Sequence, residues 1–122
     1  MNLKTLVLGA STNPERFSYL AIKKLVNHGV DVVAIGKSSG NVEGIEIQTG
    51  KPDLEFIHTI TLYLNAANQA EYFDYLISLN PKRIIFNPGS ENANLMKMAR
   101  NKGIEVVFDC TLVMLKNGSY FR

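Results

Sequence analysis

Residues 9–19 read GASTNPERFSY and lie between an apolar run at 3–8 and a segment with helical spacing at 20–27. A strand that ends in small, turn-forming residues and then opens a helix is the local geometry that binds a nucleotide phosphate. Gly9 lets the chain turn and lets a ligand approach the backbone, and Ser18 is predicted to cap the helix. The common dinucleotide fingerprint has three glycines where this stretch has one, so the stretch favours a phosphate ligand without identifying it.

The composition is that of an ordinary soluble protein and limits the classes of partner. The 122 residues include 13 basic and 11 acidic side chains, a net charge of +2 with no basic stripe, which argues against a nucleic-acid partner. The single cysteine, Cys110, excludes an internal disulfide and is typical of a reducing compartment. The early apolar run is too short for a signal peptide or a membrane span. We therefore expect one cytoplasmic domain, residues 1–122, with no membrane partner.

Apolar segments alternate with helical ones along the whole chain. The predicted strands lie at 3–8, 30–35, 57–64, 83–86 and 105–108, with residues 42–47 as an edge strand at most. This alternation predicts a Rossmann-like, doubly wound α/β domain, a three-layer sandwich in which helices cover both faces of a five-stranded parallel sheet. The expected strand order is 3-2-1-4-5, which brings the ends of the first and fourth strands together where ligands bind.

The loop after the fourth predicted strand reads NPGSEN at 87–92 and is expected to face the first loop, residues 9–16, across that crevice. Turn chemistry alone explains it if Ser90 caps the next helix. A binding role would instead place Asn87 and the Gly89 amide against the pantetheine or acyl end of a ligand. The position of the loop favours the binding role.

The loop after the second predicted strand discriminates among nucleotides. An NAD-binding domain has an acidic residue there for the ribose hydroxyls, whereas this chain has Gly36, Lys37 and two serines, with no acid before Glu43. A lysine beside two hydroxyls suits a phosphate on that ribose, as in CoA or NADP. The alternative is that Lys37 is a solvated loop residue, and Arg16 is likewise either a phosphate contact or a surface charge.

Candidate catalytic and metal-binding residues are few. Cys110 follows the last predicted strand with no histidine near it in sequence, and a lone cysteine is more often a small buried side chain than a nucleophile. His28 is expected in the last turn of the first helix and His58 at the start of a strand. Neither has a partner at metal-ligand spacing, so no metal site is predicted. Tyr63, like the other tyrosines of this region, fits a core or interface position.

Several of these motifs together resemble the small bacterial and archaeal CoA-binding proteins, a family similar to the N-terminal domain of the succinyl-CoA synthetase alpha subunit. The resemblance covers essentially the whole chain and is carried by the pattern G-A-S-x-x-P-x-R-x-S-Y at 9–19, by VEG at 42–44, by NPGSE at 87–91 and by Cys110. It implies the same Rossmann-like fold and CoA or an acyl-CoA as the ligand.

The resemblance also implies roles for individual residues. The phosphates would lie on the first loop, the adenosine or its 3′-phosphate beside Gly36 and Lys37, and the rest of the ligand in a crevice that includes Asn65. The predicted ligand-binding residues are Gly9, Ala10, Ser11, Thr12, Asn13, Arg16, Ser18, Gly36, Lys37, Asn65, Asn87, Pro88 and Gly89. Many relatives carry Asn-Pro where this chain has Gly36-Lys37, and many have an aromatic-x-Gln-x-Gly pattern where it has residues 86–89. No histidine matches the one that the synthetase phosphorylates, so its activity is not implied.

We therefore expect a protein that binds CoA or an acyl-CoA without catalysis of its own. The alternative is an enzyme in the same crevice, either an NADP-dependent reductase or a thiol-using enzyme, for which only Asp109, Glu91 and Cys110 qualify by position. A third hypothesis is a regulatory or assembly module whose pocket is degenerate. Apolar helix faces make a homodimer a reasonable expectation.

Overall fold

The computed structural model describes residues 3–122, so Met1 and Asn2 of the predicted domain lie outside the described part. In chain order the elements are β1 (Thr5–Ala10), α1 (Phe17–Asn27), β2 (Val32–Gly36), β3 (Gly40–Val42), β4 (Ile45–Gln48), β5 (Thr59–Leu62), α2 (Ala66–Gln69), α3 (Phe73–Ser78), β6 (Arg83–Phe86), α4 (Ala93–Asn101), β7 (Glu105–Phe108) and α5 (Thr111–Asn117), with 3-10 turns at Ala70–Tyr72 and Ser119–Phe121. The predicted α/β Rossmann-like architecture is confirmed.

The predicted number and order of strands are wrong. The sheet has seven strands in the order β3-β4-β2-β1-β5-β6-β7, whereas five strands in the order 3-2-1-4-5 were expected. The third predicted strand is β5, which pairs in parallel with β1, from Thr5 opposite Thr59 to Leu8 opposite Leu62. The place beside β2 is taken by a hairpin, in which β4 pairs in parallel with β2 and antiparallel with β3.

Burial explains this order. All four residues of β5 are buried, so the strand needs a neighbour on each side and a helix on each face, which the outer position in the predicted order would not supply. The hairpin at residues 40–48 has fewer buried residues and therefore suits the outside of the sheet. Residues 49–58 carry the chain across to the other side of β1.

Helices cover both faces of the sheet, as predicted. The core under α1 and α5 includes Val7, Ile22, Leu25, Met114 and Leu115. The core under α3 and α4 includes Leu6, Leu8, Leu76, Leu95 and Ala99. Successive residues of β1 therefore point to opposite layers, as in a strand that is buried on both faces.

The order of the strands determines which loops meet. The six parallel strands direct their carboxyl ends to one side of the sheet, and the crossovers diverge between β1 and β5. We call this side the carboxyl end and the opposite side the amino end. The loop after β5 lies between the first loop and the loop after β6, so those two loops are not adjacent as predicted. Among the helices of residues 3–122, none is long and apolar enough to cross a membrane.

Candidate ligand-binding site

A cavity of about 590 Å³ opens at the carboxyl end of the sheet, within the size range of small-molecule sites. Its walls come from the loops after β1, β2, β5 and β6 and from the first turn of α1. It is lined by Gly9, Ala10, Ser11, Thr12, Arg16, Phe17, Ser18, Lys37, Ser38, Leu62, Tyr63, Leu64, Asn65, Asn68, Pro88, Gly89 and Ser90. Ten of the thirteen predicted ligand-binding residues lie in this lining, and we call the space the main cavity.

The first loop is shaped by its own side chains. The backbone N–H of Asn13 donates to Ser11 Oγ at 3.0 Å, and the N–H of Glu15 donates to Asn13 Oδ1 at 3.0 Å. Asn13 also accepts the N–H of Arg16 on its backbone oxygen at 3.0 Å. The side-chain and backbone oxygens of Asn13 therefore stabilise the turn. Asn13 does not line the main cavity, unlike most of its neighbours.

The N-terminus of α1 is exposed to the main cavity without a protein cap. The helix begins at Phe17, and its N-cap residue is Arg16, whose side chain has no acceptor to offer. The prediction that Ser18 caps this helix is wrong, because Ser18 is already inside the first turn and is buried. The first N–H groups of a helix have no intrahelical acceptor, and no side chain in the described range caps these ones.

The electrostatic environment of the main cavity is positive. The charged residues of its lining are Arg16 and Lys37, and the lining contains no acidic residue among those described. Both basic side chains are exposed. No acidic residue lies in the first turn of α1 either; Glu15 precedes the N-cap Arg16 but is not in the lining of the cavity. The cavity is therefore suited to an anion.

Two glycines allow the strands to approach closely below the cavity. Gly9 has φ +96°, and a Cβ there would lie 2.9 Å from the carbonyl carbon of Tyr63. A Cβ on Gly36 would lie 2.3 Å from the carbonyl oxygen of Ala10. Gly36 does not line the main cavity; it borders a side cavity of about 80 Å³, whose lining includes Glu71 and Tyr72. Gly36 thus has a packing role, and it borders this smaller space together with Lys37.

A buried glutamine connects the loops after β5 and β6. Gln69 is completely buried, and its Nε2 donates to the carbonyl oxygens of Leu64 at 2.8 Å and of Ser90 at 2.6 Å. Its Oε1 is buried with no partner among residues 3–122. Only the amide nitrogen can donate to two carbonyls, so the orientation of the side chain is fixed. Gln69 thereby sets the spacing of two walls of the cavity.

Asn87 lies beneath the cavity, and its side chain is fully hydrogen-bonded to neighbouring elements of the fold. It is 3% exposed, and its Nδ2 donates to Thr61 Oγ1 at 2.7 Å and to the backbone oxygen of Leu62 at 2.9 Å. Its Oδ1 accepts the N–H of Thr111 at 2.8 Å. With both amide hydrogens and the oxygen used, Asn87 joins β5, β6 and α5, and it does not line the cavity as expected.

The other wall of the cavity offers neutral polar groups. Asn65 caps α2 by accepting the N–H of Asn68 at 3.1 Å on its side-chain oxygen. The next helix, α4, is capped by Asn92, so the alternative in which Ser90 caps it is wrong. Ser90 is buried, and its hydroxyl donates to the backbone oxygen of Asn87 at 2.7 Å.

Tyr63 lines the main cavity, whereas Cys110 does not. Burial raises the pKa of the Tyr63 hydroxyl above its ordinary value, so this side chain stays protonated, and its oxygen has no hydrogen-bond partner in the described part of the chain. Cys110 is half-buried, precedes α5 and is not in the lining of the main cavity. Within residues 3–122 no group of three or more His, Cys, Asp or Glu side chains could bind a metal ion.

Seven lining residues were not predicted from sequence: Phe17, Ser38, Leu62, Tyr63, Leu64, Asn68 and Ser90. Most of them follow directly from the corrected strand order, since the loop after β5 lies at the centre of the cavity. Phe17 is 69% exposed at the start of α1. Its position beside Arg16 in the motif at 9–19 was the available signal, because the first turn of a helix that faces a ligand contributes side chains as well as amides.

Comparisons with known proteins place the chain in a family. The model of a family described as a CoA binding domain matches residues 4–116. A crystal structure of an uncharacterized protein is 44% identical, covers 98% of each chain and superposes with a TM-score of 0.94. No protein with a curated function is significantly similar to this chain.

Two more distant structures share the fold alone. A hypothetical protein from Pyrococcus horikoshii OT3 is 24% identical over 95% of this chain and 83% of its own, with a TM-score of 0.86. A protein from Thermus thermophilus is 19% identical over 96% of this chain and 90% of its own, with a TM-score of 0.84. The family match at 4–116 extends from the beginning of the sheet into α5, and on that basis the chain belongs to the CoA-binding domain family.

Proposed function

We propose that residues 1–122 form one CoA-binding domain that binds CoA or an acyl-CoA in the main cavity. The observation that carries the proposal is the uncapped N-terminus of α1, which opens into a cavity whose lining has two basic residues and no acidic one in the described range. Helix N-termini stabilise phosphate groups through their free N–H groups and their dipole. The pyrophosphate of CoA would lie over the first loop, with Arg16 beside it.

Lys37 is the residue that we assign to the 3′-phosphate of the ribose. It follows β2, the strand next to β1, and it lines both the main cavity and the side cavity. A ligand with its pyrophosphate over β1 would reach this lysine with its adenosine half. The predicted contacts of Ser11, Thr12, Asn65 and Pro88 stay part of the proposal. Gly89 lines the cavity, but its amide is not free for the ligand as predicted, because it donates to Glu91 Oε1. Asn13, Gly36 and Asn87 act through the shape of the site.

The proposed role is binding without catalysis by this chain. The described lining of the main cavity includes no carboxylate, histidine or cysteine, the groups most used for proton transfer and nucleophilic attack. Cys110, on which the thiol-using alternative depends, is outside that lining. No contact among the described residues favours NADP over CoA, so NADPH serves as a comparator. Cytoplasmic location and a homodimer stay predictions.

Calorimetric titration with CoA, dephospho-CoA and NADPH tests the proposal. CoA is expected to bind most tightly, and Lys37→Ala is expected to weaken CoA about tenfold while changing dephospho-CoA little, as for one charge-assisted hydrogen bond. Lys102→Ala, at an exposed position after α4, is the matched control for the loss of one charge. Equal losses of CoA and dephospho-CoA in Lys37→Ala would remove the assignment of Lys37. Tighter binding of NADPH would overturn the choice of CoA.

A further inference from the structure

The charges at the carboxyl end of the sheet are divided between its two halves. The basic residues Arg16 and Lys37 follow β1 and β2. On the other side, Glu91 follows β6 and Asp109 follows β7, and the connecting residues 87–92 and 109–110 contain no lysine or arginine. Glu15 also lies in the loop after β1, but it is not in the lining of the main cavity, so the lining nearest β1 and β2 attracts anions. The loops after β6 and β7 carry only negative charge and repel anions.

Glu91 is positioned at the wall of the main cavity by a hydrogen bond. The backbone N–H of Gly89, a lining residue, donates to Glu91 Oε1 at 2.9 Å. The carboxylate is therefore held against the loop after β6, next to the lining, while the side chain stays exposed. It also occupies the Gly89 amide that a carbonyl or carboxylate of the ligand would otherwise use.

The proposed function fixes which part of the ligand meets this wall. With the pyrophosphate over β1 and the 3′-phosphate at Lys37 toward β2, the pantetheine arm has to leave in the opposite direction. That direction leads over Tyr63 and Asn65 after β5 to Pro88 and Gly89 after β6. The thiol end and any acyl group on it therefore approach Glu91, and the lining on this side contributes only neutral groups.

We infer that the chain binds CoA or CoA esters of uncharged acyl groups in preference to esters of dicarboxylic acids. This inference rests on the proposed function and adds the class of acyl group to it. A free carboxylate on the acyl chain would meet the like charge of Glu91 with no described cation in the lining of this wall to compensate it. An acetyl group meets no such repulsion.

The test compares acetyl-CoA with succinyl-CoA by calorimetric titration at low salt. The wild-type chain is expected to bind acetyl-CoA about three- to tenfold more tightly, the size expected for two like charges several ångströms apart at a partly exposed site. Glu91→Gln keeps the acceptor for the Gly89 N–H and removes the charge, and it is expected to bring this ratio close to one. Glu46→Gln removes an exposed carboxylate from β4 and is expected to leave the ratio unchanged.

The outcomes separate the inference from the proposed function. Equal affinity of the wild-type chain for the two esters, or an unchanged ratio in Glu91→Gln, would overturn the inference while CoA binding stands. Failure of both esters to bind would overturn the proposed function and the inference with it. A ratio that falls with added salt in the wild type and not in Glu91→Gln would support the electrostatic origin.

Discussion

The two ends of the sheet each have an arginine, Arg16 at the carboxyl end and Arg83 at the amino end, in opposite environments. Arg16 is exposed and lines the main cavity. Arg83 is 4% exposed, and it donates to Thr59 Oγ1 at 2.8 Å and to the backbone oxygen of Tyr120 at 2.7 Å. Its guanidinium carbon lies 4.4 Å from the centre of the Tyr120 ring.

Under the proposed function, one residue type would contribute to stability at one end and to binding at the other. At the amino end the chain closes over its own cation, since Tyr120 covers Arg83 and its hydroxyl bonds to Thr5. Thr5, Thr59 and Arg83 lie side by side on three neighbouring strands. At the carboxyl end no such cover exists in the described range, so the charges are available to a ligand. Four substitutions test this contrast, from the largest expected effect to the smallest.

Arg83→Ala is expected to lower the free energy of unfolding by about 3 kcal/mol, because it removes a buried side chain and leaves the Tyr120 carbonyl without its donor. Urea denaturation measures the change. Arg100→Ala, on the exposed side of α4, is expected to change the value by less than about 0.5 kcal/mol. The CoA affinity of folded Arg83→Ala is expected to equal that of the wild type. A loss of stability below about 1 kcal/mol would break the contrast.

Gln69→Leu is expected to cost about 2 kcal/mol of stability, because the carbonyls of Leu64 and Ser90 both lose their donor. It is also expected to weaken CoA severalfold while leaving adenosine 3′,5′-bisphosphate unchanged, since this fragment does not reach the loop after β6. Gln48→Leu on β4 is the control. The contrary result, equal weakening of the fragment and of CoA, would mean that Gln69 acts on the whole fold and not on the spacing of these two walls.

Arg16→Ala is expected to weaken CoA about tenfold, as for the loss of one charge-assisted bond to phosphate, with a change in stability below about 0.5 kcal/mol. Titration and urea denaturation on the same preparation give both values. The two variants are therefore expected to separate the two properties: Arg16→Ala weakens CoA binding without lowering stability, and Arg83→Ala lowers stability without weakening CoA binding. If removing Arg16 cost stability and spared binding, the two ends of the sheet would not differ as described.

His58→Asn is expected to reduce the decrease in the free energy of unfolding that the wild-type chain shows as the pH falls. Burial, assisted by the positive charges of Arg83 and Lys82, lowers the pKa of His58 below its ordinary value of 6.5. The unfolded chain therefore binds a proton that the folded chain resists, and the free energy of unfolding decreases as the pH falls below 6.5. Urea denaturation at about pH 7.5 and about pH 5.5 measures the decrease. His28→Asn, at the exposed end of α1, is expected to retain it.

Much of the fold was predictable because its signals are local. Apolar runs of strand length and helical spacing predicted α1, β1 and β2 and the doubly wound class. The strand order was not predicted, because residues 49–58 have no pattern that shows which side of β1 they lead to. The buried character of residues 59–62 was the missed signal, since a strand without a polar face belongs in the middle of a sheet.

The lining of the main cavity was predicted well in the loops next to β1 and poorly where the position of a side chain depends on packing. Gly9 and the residues of the first loop were predicted to line the cavity because small polar residues that follow a buried strand and precede a helix are typical of a phosphate-binding loop. Asn87 was misassigned because the sequence does not show whether a polar side chain at the end of a strand points into the crevice or beneath it. Gln69 could not be found at all, since it lies outside the motifs and one of its acceptors, the Ser90 carbonyl, is 21 residues away in sequence.

The position of the ligand can be observed directly in two-dimensional amide NMR spectra recorded during addition of CoA. The amides of Phe17 and Ser18, at the uncapped N-terminus of α1, are expected to shift most, together with those of the first loop and Lys37. The amides of Arg83 and Tyr120 at the amino end are expected to stay in place. Shifts confined to the amino end, or saturation by CoA with the amides of Phe17 and Ser18 unchanged, would contradict the assignment of phosphate binding to the carboxyl end.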